Sequence, residues 1–174
     1  MERREEARTL MEIEIRTFNL GRNSWAMDLV DTYLKKIKPF EKVTFRSIKD
    51  EKKWLESVQP SDRLWICDEN GKGFSSKDFS NQISKLRDGG IQNLIFCVGG
   101  PFGLPDFVKE RAELSLLLSP FVMNQEVALT VLLEQVFRAY TIIHTPPYTN
   151  ACSGRRTFCI PSQNAALGAS SLNL

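Results

Sequence analysis

The chain has 174 residues, 42% of them hydrophobic and 25% charged, which is the composition of one globular domain with its own core. Its 23 basic and 21 acidic side chains leave a net charge of +2, and because Arg155 and Arg156 are the only charges after residue 149, the preceding part is neutral. These totals exclude a globally basic nucleic-acid-binding protein, although they allow a local basic patch or one formed by two subunits. No apolar run appears long enough for a membrane span, and the mixture of arginine and glutamate in residues 1–10 is unlike a secretory signal or a transit peptide.

Hydrophobic periodicity predicts five strands that alternate with five helices. Alternating or continuous apolar runs predict strands at residues 11–18, 42–48, 63–67, 94–98 and 114–118. Apolar residues at helical spacing predict helices at residues 24–38, 49–58, 76–88, 105–113 and 124–143, the last of them capped by Asn124. This alternation predicts an α/β fold, a mainly parallel sheet with helices on both faces. Residues 68–73, Asp-Glu-Asn-Gly-Lys-Gly, are predicted to form a turn after the third strand.

The cysteines and the acidic turn are the candidates for a metal site, and neither is favoured. Cys67 and Cys97 end predicted buried strands and are expected to be reduced core residues. Cys152 and Cys159 have no second pair and no histidine near them. The carboxylates after Cys67 could bind a metal ion, but a solvated turn is the favoured interpretation. We therefore predict no metal centre.

The stretch from Leu94 to Pro105 joins an apolar strand to a helix through Gly99, Gly100 and Gly103. Strand, glycine turn and helix is the form of a ligand-binding loop at the carboxyl edge of a parallel sheet, where glycine lets the backbone approach a ligand closely. The same form is also ordinary turn geometry, so it identifies no ligand by itself. The loops after residue 67 and at residues 119–124 are predicted to lie at the same edge.

The last predicted helix is apolar on nearly all sides. Its only charges past the first turn are Glu134 and Arg138, which are four residues apart and can pair. Such a helix is expected to be covered on more than one side, either in the core of the chain or by a second subunit. We favour the second alternative, a homodimer with Val136 at the interface.

Several segments together carry a resemblance to a known family. They are Leu-Trp-Ile-Cys-Asp at 64–68 with Gly71-Lys72, Phe-Cys-Val-Gly-Gly-Pro-Phe-Gly at 96–103, Leu118-Ser119, Val-Leu-Leu-Glu-Gln-Val-Phe-Arg-Ala-Tyr at 131–140, and Pro147-Tyr148. In this order and spacing they resemble the SPOUT-class, YbeA-like methyltransferases, which act on N3 of a pseudouridine in large-subunit ribosomal RNA. The likeness covers roughly residues 11–148.

The resemblance implies a SPOUT methyltransferase domain at residues 11–149 with a C-terminal trefoil knot, between an N-terminal extension at residues 1–10 and a further segment at 150–174. The Ser-, Ala- and Asn-rich composition of that last segment predicts a disordered tail. The resemblance further implies a homodimer built on the last helix, S-adenosylmethionine as cofactor, large-subunit ribosomal RNA in the ribosome as substrate, and a cytoplasmic or organellar location without a membrane partner.

Carried over position by position, the family's cofactor contacts fall on Cys67, Gly99, Leu118, Ser119, Pro120, Phe121, Val122 and Met123. Arg138 and Tyr148 match positions near the methyl acceptor and are the candidate catalytic residues. Arg138 could hold phosphate or the uracil face, and Tyr148 could stack or donate a hydrogen bond. The alternatives are an ion pair between Arg138 and Glu134 and a tyrosine that only packs.

The chain departs from the family at two positions. The family usually has a histidine where Gln125 stands, and it usually ends in Tyr-His where this chain has Tyr148-Thr149. A second hypothesis is therefore a dimeric homologue that binds the cofactor with weak or no methyl transfer. A third, a nucleotide-binding α/β module, is disfavoured because the glycines are not followed by the Lys-Ser or Lys-Thr of a phosphate-binding loop.

Overall fold

The computed structural model describes residues 11–144, in which strands and helices alternate as predicted. The elements are β1 (Glu12–Phe18), α1 (Ala26–Ile37), β2 (Lys42–Ile48), α2 (Glu51–Glu56), β3 (Arg63–Gly73), α3 (Ser76–Asp88), β4 (Asn93–Val98), α4 (Asp106–Arg111), β5 (Leu114–Leu117) and α5 (Gln125–His144). The predicted extension at 1–10, the predicted tail, Cys152, Cys159 and the Tyr148-Thr149 pair lie outside the described residues.

The five strands form one parallel sheet in the order β2-β1-β4-β3-β5. The apolar run of β4 lies at its centre, between β1 and β3, and is buried from Leu94 to Val98. This position explains the run, because a central strand of a parallel sheet is covered on both faces. Since all strands point the same way, the loops that follow β1, β3, β4 and β5 meet at one edge of the sheet.

Helices cover both faces of the sheet, as expected of an α/β fold. Ile15 and Phe96 belong to the core on the face covered by α1, α3 and α5. Ile66 packs on the other face with Trp54 and Val108, which come from α2 and α4. The predicted α/β class with a parallel sheet is therefore confirmed.

The predicted turn at residues 68–73 is wrong, because β3 continues through it to Gly73. The strand pairs with β5 twice, first through Cys67 and again through Lys72, both opposite Leu116, with a register shift between them. A Cβ atom at Gly71 would lie 2.6 Å from the carbonyl carbon of Leu116, so only glycine permits this approach to β5. The turn-like composition thus belongs to a bulged strand, whose pairing partner lies far along the chain.

The helix α5 begins as predicted and lies with one face in the core. Asn124 caps it, because its Oδ1 accepts a hydrogen bond of 2.8 Å from the backbone N–H of Val127. By length and composition alone α5 could cross a membrane, although charged residues interrupt its apolar sequence. Its inner residues instead pack against the sheet, α1 and α3, and those fully buried there are Leu129, Leu132, Leu133, Val136, Ala139 and Tyr140.

The placement of Val136 at a subunit interface is also wrong, because that side chain is completely buried within one chain. The opposite side of α5 carries Val127, Val131 and Ile142, which are all partly exposed. Their helical spacing places them on one outer face. Any partner of α5 would therefore cover this outer face.

Candidate functional site

A cavity of about 320 Å³ opens at the carboxyl edge of the sheet, a size typical of small-molecule sites. Its walls come from the end of β3, the glycine loop after β4, β5 and the loop before α5. The structure brings seven of the eight predicted cofactor residues together in its lining: Cys67, Gly99, Leu118, Ser119, Phe121, Val122 and Met123. Pro120 belongs to the same loop, but it is exposed and does not line the cavity.

The glycine loop forms a closed hairpin at one wall. The backbone N–H of Gly100 donates to the carbonyl of Gly103 at 3.2 Å, and the reverse bond is 3.0 Å. Gly103 has a φ of 80°, which favours glycine, and a Cβ atom at Gly99 would lie 2.8 Å from the carbonyl carbon of Gly103. The wall is therefore narrow, and Gly99 and Gly103 give it no side chain.

Cys67 ends the regular part of β3 and contributes an apolar surface. Part of its side chain is open to the cavity, yet it is surrounded by protein atoms, and this burial raises the pKa of the thiol to about 12. At neutral pH the side chain is therefore a protonated thiol, which is a poor nucleophile. Cys67 and the buried Cys97 are both reduced.

An ion pair between Asp68 and Lys109 lies at the cavity wall. Asp68 accepts a hydrogen bond of 2.9 Å from the backbone N–H of Asn70, and its Oδ2 lies 3.0 Å from Nζ of Lys109. These two contacts, the backbone bond first, hold the pKa of the Asp68 carboxyl below its usual value. Glu69 also lines the cavity, so carboxylates outnumber ammonium groups among its described lining residues. The wall is therefore suited to a cationic ligand.

The candidate metal site at the acidic segment does not gain ligands from the rest of the fold. Within residues 11–144, the structure brings together no group of three His, Cys, Asp or Glu side chains that could hold a metal ion. The carboxylate of Asp68 is instead paired with an ammonium group.

Gln125 also lines the cavity and connects α5 to the end of β1. Its Nε2 donates hydrogen bonds of 2.6 Å to Oγ1 of Thr17 and 2.5 Å to the carbonyl oxygen of Phe18. Thr17 is completely buried, so the amide of Gln125 satisfies polar groups that water does not reach. Gln125 thus has a defined structural role at the position where the resembling family usually has histidine.

Arg138, the one candidate catalytic residue within residues 11–144, does not line the cavity. Nε of Arg138 donates to Oε1 of Glu134 at 3.0 Å, the pair expected from their spacing. The carboxylate of Glu134 also accepts a hydrogen bond of 2.9 Å from the hydroxyl of Tyr33. Burial, and then this bond, raise the pKa of Tyr33 to about 12. Tyr148 lies outside the described residues.

Sequence reasoning missed Lys109 as a residue of the cavity. It lies 41 positions after Asp68, and no local pattern connects the two. Lys109 lies in the last turn of α4, where a positive charge is ordinarily explained by its favourable interaction with the helix dipole. Only the position of α4 above the end of β3 brings the ammonium group to the carboxylate.

Comparisons with known proteins agree on one family. Residues 11–149 match the family model described as "Predicted SPOUT methyltransferase". A protein named "Ribosomal RNA large subunit methyltransferase H" from Bdellovibrio bacteriovorus is 32% identical over 150 residues, a match that covers 76% of this chain and 96% of that protein. A protein of the same name from Christiangramia forsetii is 40% identical over 94 residues, but the match spans only 54% of this chain and 60% of that relative.

A solved structure described as a probable methyltransferase from Bordetella pertussis superimposes on the chain with a TM-score of 0.50 at 10% identity. The match covers 75% of this chain and 96% of that one. At this identity the likeness supports the fold alone.

Proposed function

Because the chain belongs to the SPOUT methyltransferase family, we propose that it transfers a methyl group from S-adenosylmethionine to N3 of a pseudouridine in large-subunit ribosomal RNA. The name of the Bdellovibrio relative supports the class of substrate. The N3 position follows from the resemblance of the sequence segments described above. One structural observation carries the proposal: residues of the glycine hairpin and residues 118, 119 and 121–123 line one cavity at the carboxyl edge of the sheet.

The residues of the cavity fit S-adenosylmethionine. This cofactor supplies a methyl group on a positively charged sulfonium, which carries its own leaving group. Asp68 and Glu69 would favour that positive charge, and the uncovered backbone of Gly99 could bond the edge of the adenine. Cys67 and Leu118 offer an apolar surface for the adenine ring.

The chain's contribution to the reaction would be positioning, together with control of competing nucleophiles. A closed glycine hairpin fixes one wall of the site before any ligand binds, which lowers the entropy lost on the way to the transition state. The thiol of Cys67 stays protonated beside the methyl donor because its pKa is about 12. It therefore does not compete with the RNA for the methyl group.

The acceptor N3 must lose a proton, and a cation or a hydrogen-bond donor near it would help. We assign these roles to Arg138 and Tyr148 as part of the proposal. Arg138 lies on the side of α5 that also carries Val131, so it could reach a methyl acceptor only through a second subunit packed there. A homodimer across the outer face of α5 and the trefoil knot implied by the resemblance belong to the same proposal.

The proposal is tested by the transfer of labelled methyl groups from S-adenosylmethionine to large-subunit ribosomal RNA in assembled ribosomes. The native chain is compared with a Thr149→His variant that ends at residue 149. Transfer by the native chain supports the enzyme. Transfer by the variant alone would favour the second hypothesis, a homologue that binds cofactor but has lost its catalytic end. No transfer and no binding of S-adenosylmethionine by either form would refute the function.

The ribosome in question would be of the bacterial type, because the relatives quoted above are bacterial proteins. This leaves a bacterial cytoplasm or an organelle as the proposed location. Ribosomes from both sources should therefore be included in the transfer assay as separate substrates.

A further inference from the structure

The most exposed large apolar side chains of the described residues lie in two loops that line the cavity, and Phe102 stands between two lining residues, Pro101 and Gly103. Phe102 is fully exposed, and Phe121 and Val122 are 82% and 85% exposed. Phe121 and Val122 line the cavity and precede α5, so the proposed subunit interface can account for them. Phe102 comes from a different loop, the glycine hairpin after β4, and needs another explanation.

The hairpin holds Phe102 away from the rest of the chain. Two backbone hydrogen bonds between Gly100 and Gly103 close it, with Pro101 and Phe102 at the tip. At its base, a Cβ atom at Gly100 would lie 3.3 Å from the carbonyl oxygen of Phe18, so the hairpin is packed closely against the end of β1. Because the backbone that carries Phe102 is already fixed, only the rotation of the ring itself is lost when a ligand covers it.

The balance of charges in the chain does not favour binding of RNA through its phosphates alone. Through residue 154 the chain has 21 basic and 21 acidic side chains, since only Arg155 and Arg156 are charged beyond it. Carboxylates also predominate at the cavity. A chain without a net positive charge therefore gains less from the overall attraction of phosphates than a basic nucleic-acid-binding protein does. Stacking of bases on aromatic rings does not depend on net charge.

We propose that Phe102 is the platform on which an unpaired base of the ribosomal RNA, next to the methyl acceptor, stacks when the RNA enters the cavity. The inference rests on the proposed function, because an acceptor base that enters the cavity brings the adjacent nucleotides close to the hairpin that carries Phe102. Unpaired RNA bases are commonly recognised on exposed aromatic rings. Phe102 is then a residue that binds and positions the substrate, without a part in methyl transfer itself.

The test replaces Phe102 in the full chain by alanine, leucine and tyrosine. Leucine keeps an apolar side chain but removes the aromatic face, and tyrosine keeps that face. Loss of one stacked base weakens binding roughly 5- to 150-fold. We therefore expect Phe102→Ala and Phe102→Leu to raise the KM for ribosomal substrate at least about fivefold. The kcat should stay within about twofold, and Phe102→Tyr should behave as the native chain does.

Direct binding to a labelled fragment of large-subunit ribosomal RNA, followed by fluorescence anisotropy, separates this inference from the proposed activity. It should show the same ranking even if the native chain transfers no methyl group. A Phe102→Leu variant that binds the RNA as tightly as native protein would overturn the stacking role. So would a Phe102→Ala variant with an altered sedimentation coefficient, which would place the ring in a subunit interface, or one with lost affinity for S-adenosylmethionine, which would place it on the cofactor.

Discussion

Replacement of Gly99 by alanine tests the geometry of the cavity most directly. The new Cβ would lie 2.8, 3.0 and 3.1 Å from the carbonyl carbon, carbonyl oxygen and Cα of Gly103. Ordinary contact begins near 3.4 Å, so the hairpin must open by about 0.6 Å at this point (3.4 minus 2.8). All three atoms belong to the backbone, so no change of side-chain rotamer can relieve the overlap. Overpacking of this kind costs about 1–3 kcal/mol.

The cost should appear in ligand binding, because the variant relieves the overlap by opening the hairpin, whereas the proposed cofactor site requires the closed form that the native chain already has. A cost of about 1–3 kcal/mol corresponds to a dissociation constant for S-adenosylmethionine raised roughly 5- to 150-fold. A bulkier residue such as leucine should abolish binding. Isothermal titration calorimetry measures the constant for each variant.

Gly21→Ala is the matched control, because no atom lies within 4 Å of a Cβ at that position. It makes the same change to the unfolded chain without a contact in the folded one. Its affinity for S-adenosylmethionine should equal that of the native chain. If Gly99→Ala also bound the cofactor with native affinity, the hairpin would not form part of the cofactor site.

Three further changes test the fold and the thiol. Gly71→Ala should lower the free energy of unfolding, measured by urea titration, by about 1–3 kcal/mol, because its Cβ would lie 2.6 Å from the backbone of β5. The control Gly73→Ala should change that free energy far less, because its nearest contact is a flexible side chain at 3.8 Å. Val136→Asp should unfold the chain, as judged by circular dichroism, because it buries an unpaired charge, whereas Val131→Asp on the outer face of α5 should keep the fold and shift sedimentation to that of a monomer. Cys67 should react with iodoacetamide at pH 8 at least about a hundredfold more slowly in the folded chain than in urea, as followed by mass spectrometry, because only the thiolate reacts and burial raises the pKa of the thiol from 9.0 to about 12. Because the folded pKa lies above the unfolded one, the stability that the protonated thiol contributes is fully present below pH 9 and is lost as the pH rises towards 12. Equal rates in the two states would contradict the raised pKa.

The order of the elements could be predicted because each depends on a local pattern. The alternation of Ile13 and Ile15 identifies β1, and the uninterrupted run of β4 identifies a central strand. The extension of β3 to Gly73 could not be predicted in this way. Its composition favours a turn, and pairing with a strand more than 40 residues later overrides that preference.

The cavity could be predicted from topology, but its charges could not. Once the sheet is parallel, the residues that follow its strands must meet at one edge, which brings Cys67, Gly99 and Ser119 together. The pairing of Asp68 with Lys109 depends on the direction of α4, which no periodicity specifies. The bonds from Gln125 to the end of β1 likewise depend on how α5 packs in the fold, since Gln125 lies 108 positions after Thr17.

The contacts of Arg138 within one chain do not by themselves explain the role proposed for it in methyl transfer. Its guanidinium is held by Glu134, and neither residue lines the cavity. A residue that assists proton loss at the acceptor must contact it, so in the proposed homodimer Arg138 would have to serve the partner's cavity. Coexpression of an Arg138→Ala chain with a Gly99→Leu chain distinguishes the alternatives.

Each variant alone should be inactive in methyl transfer, the first without the cation and the second without the cofactor. In the mixed dimer, the chain with an intact cavity would face a partner with an intact Arg138. Methyl transfer should therefore return at one of the two sites, measured on tandem-affinity-purified mixed dimers. If Arg138 served its own chain, the mixed dimers would stay inactive. If Arg138 only paired with Glu134, the Arg138→Ala variant alone would already be active, so the assay separates all three roles of this side chain.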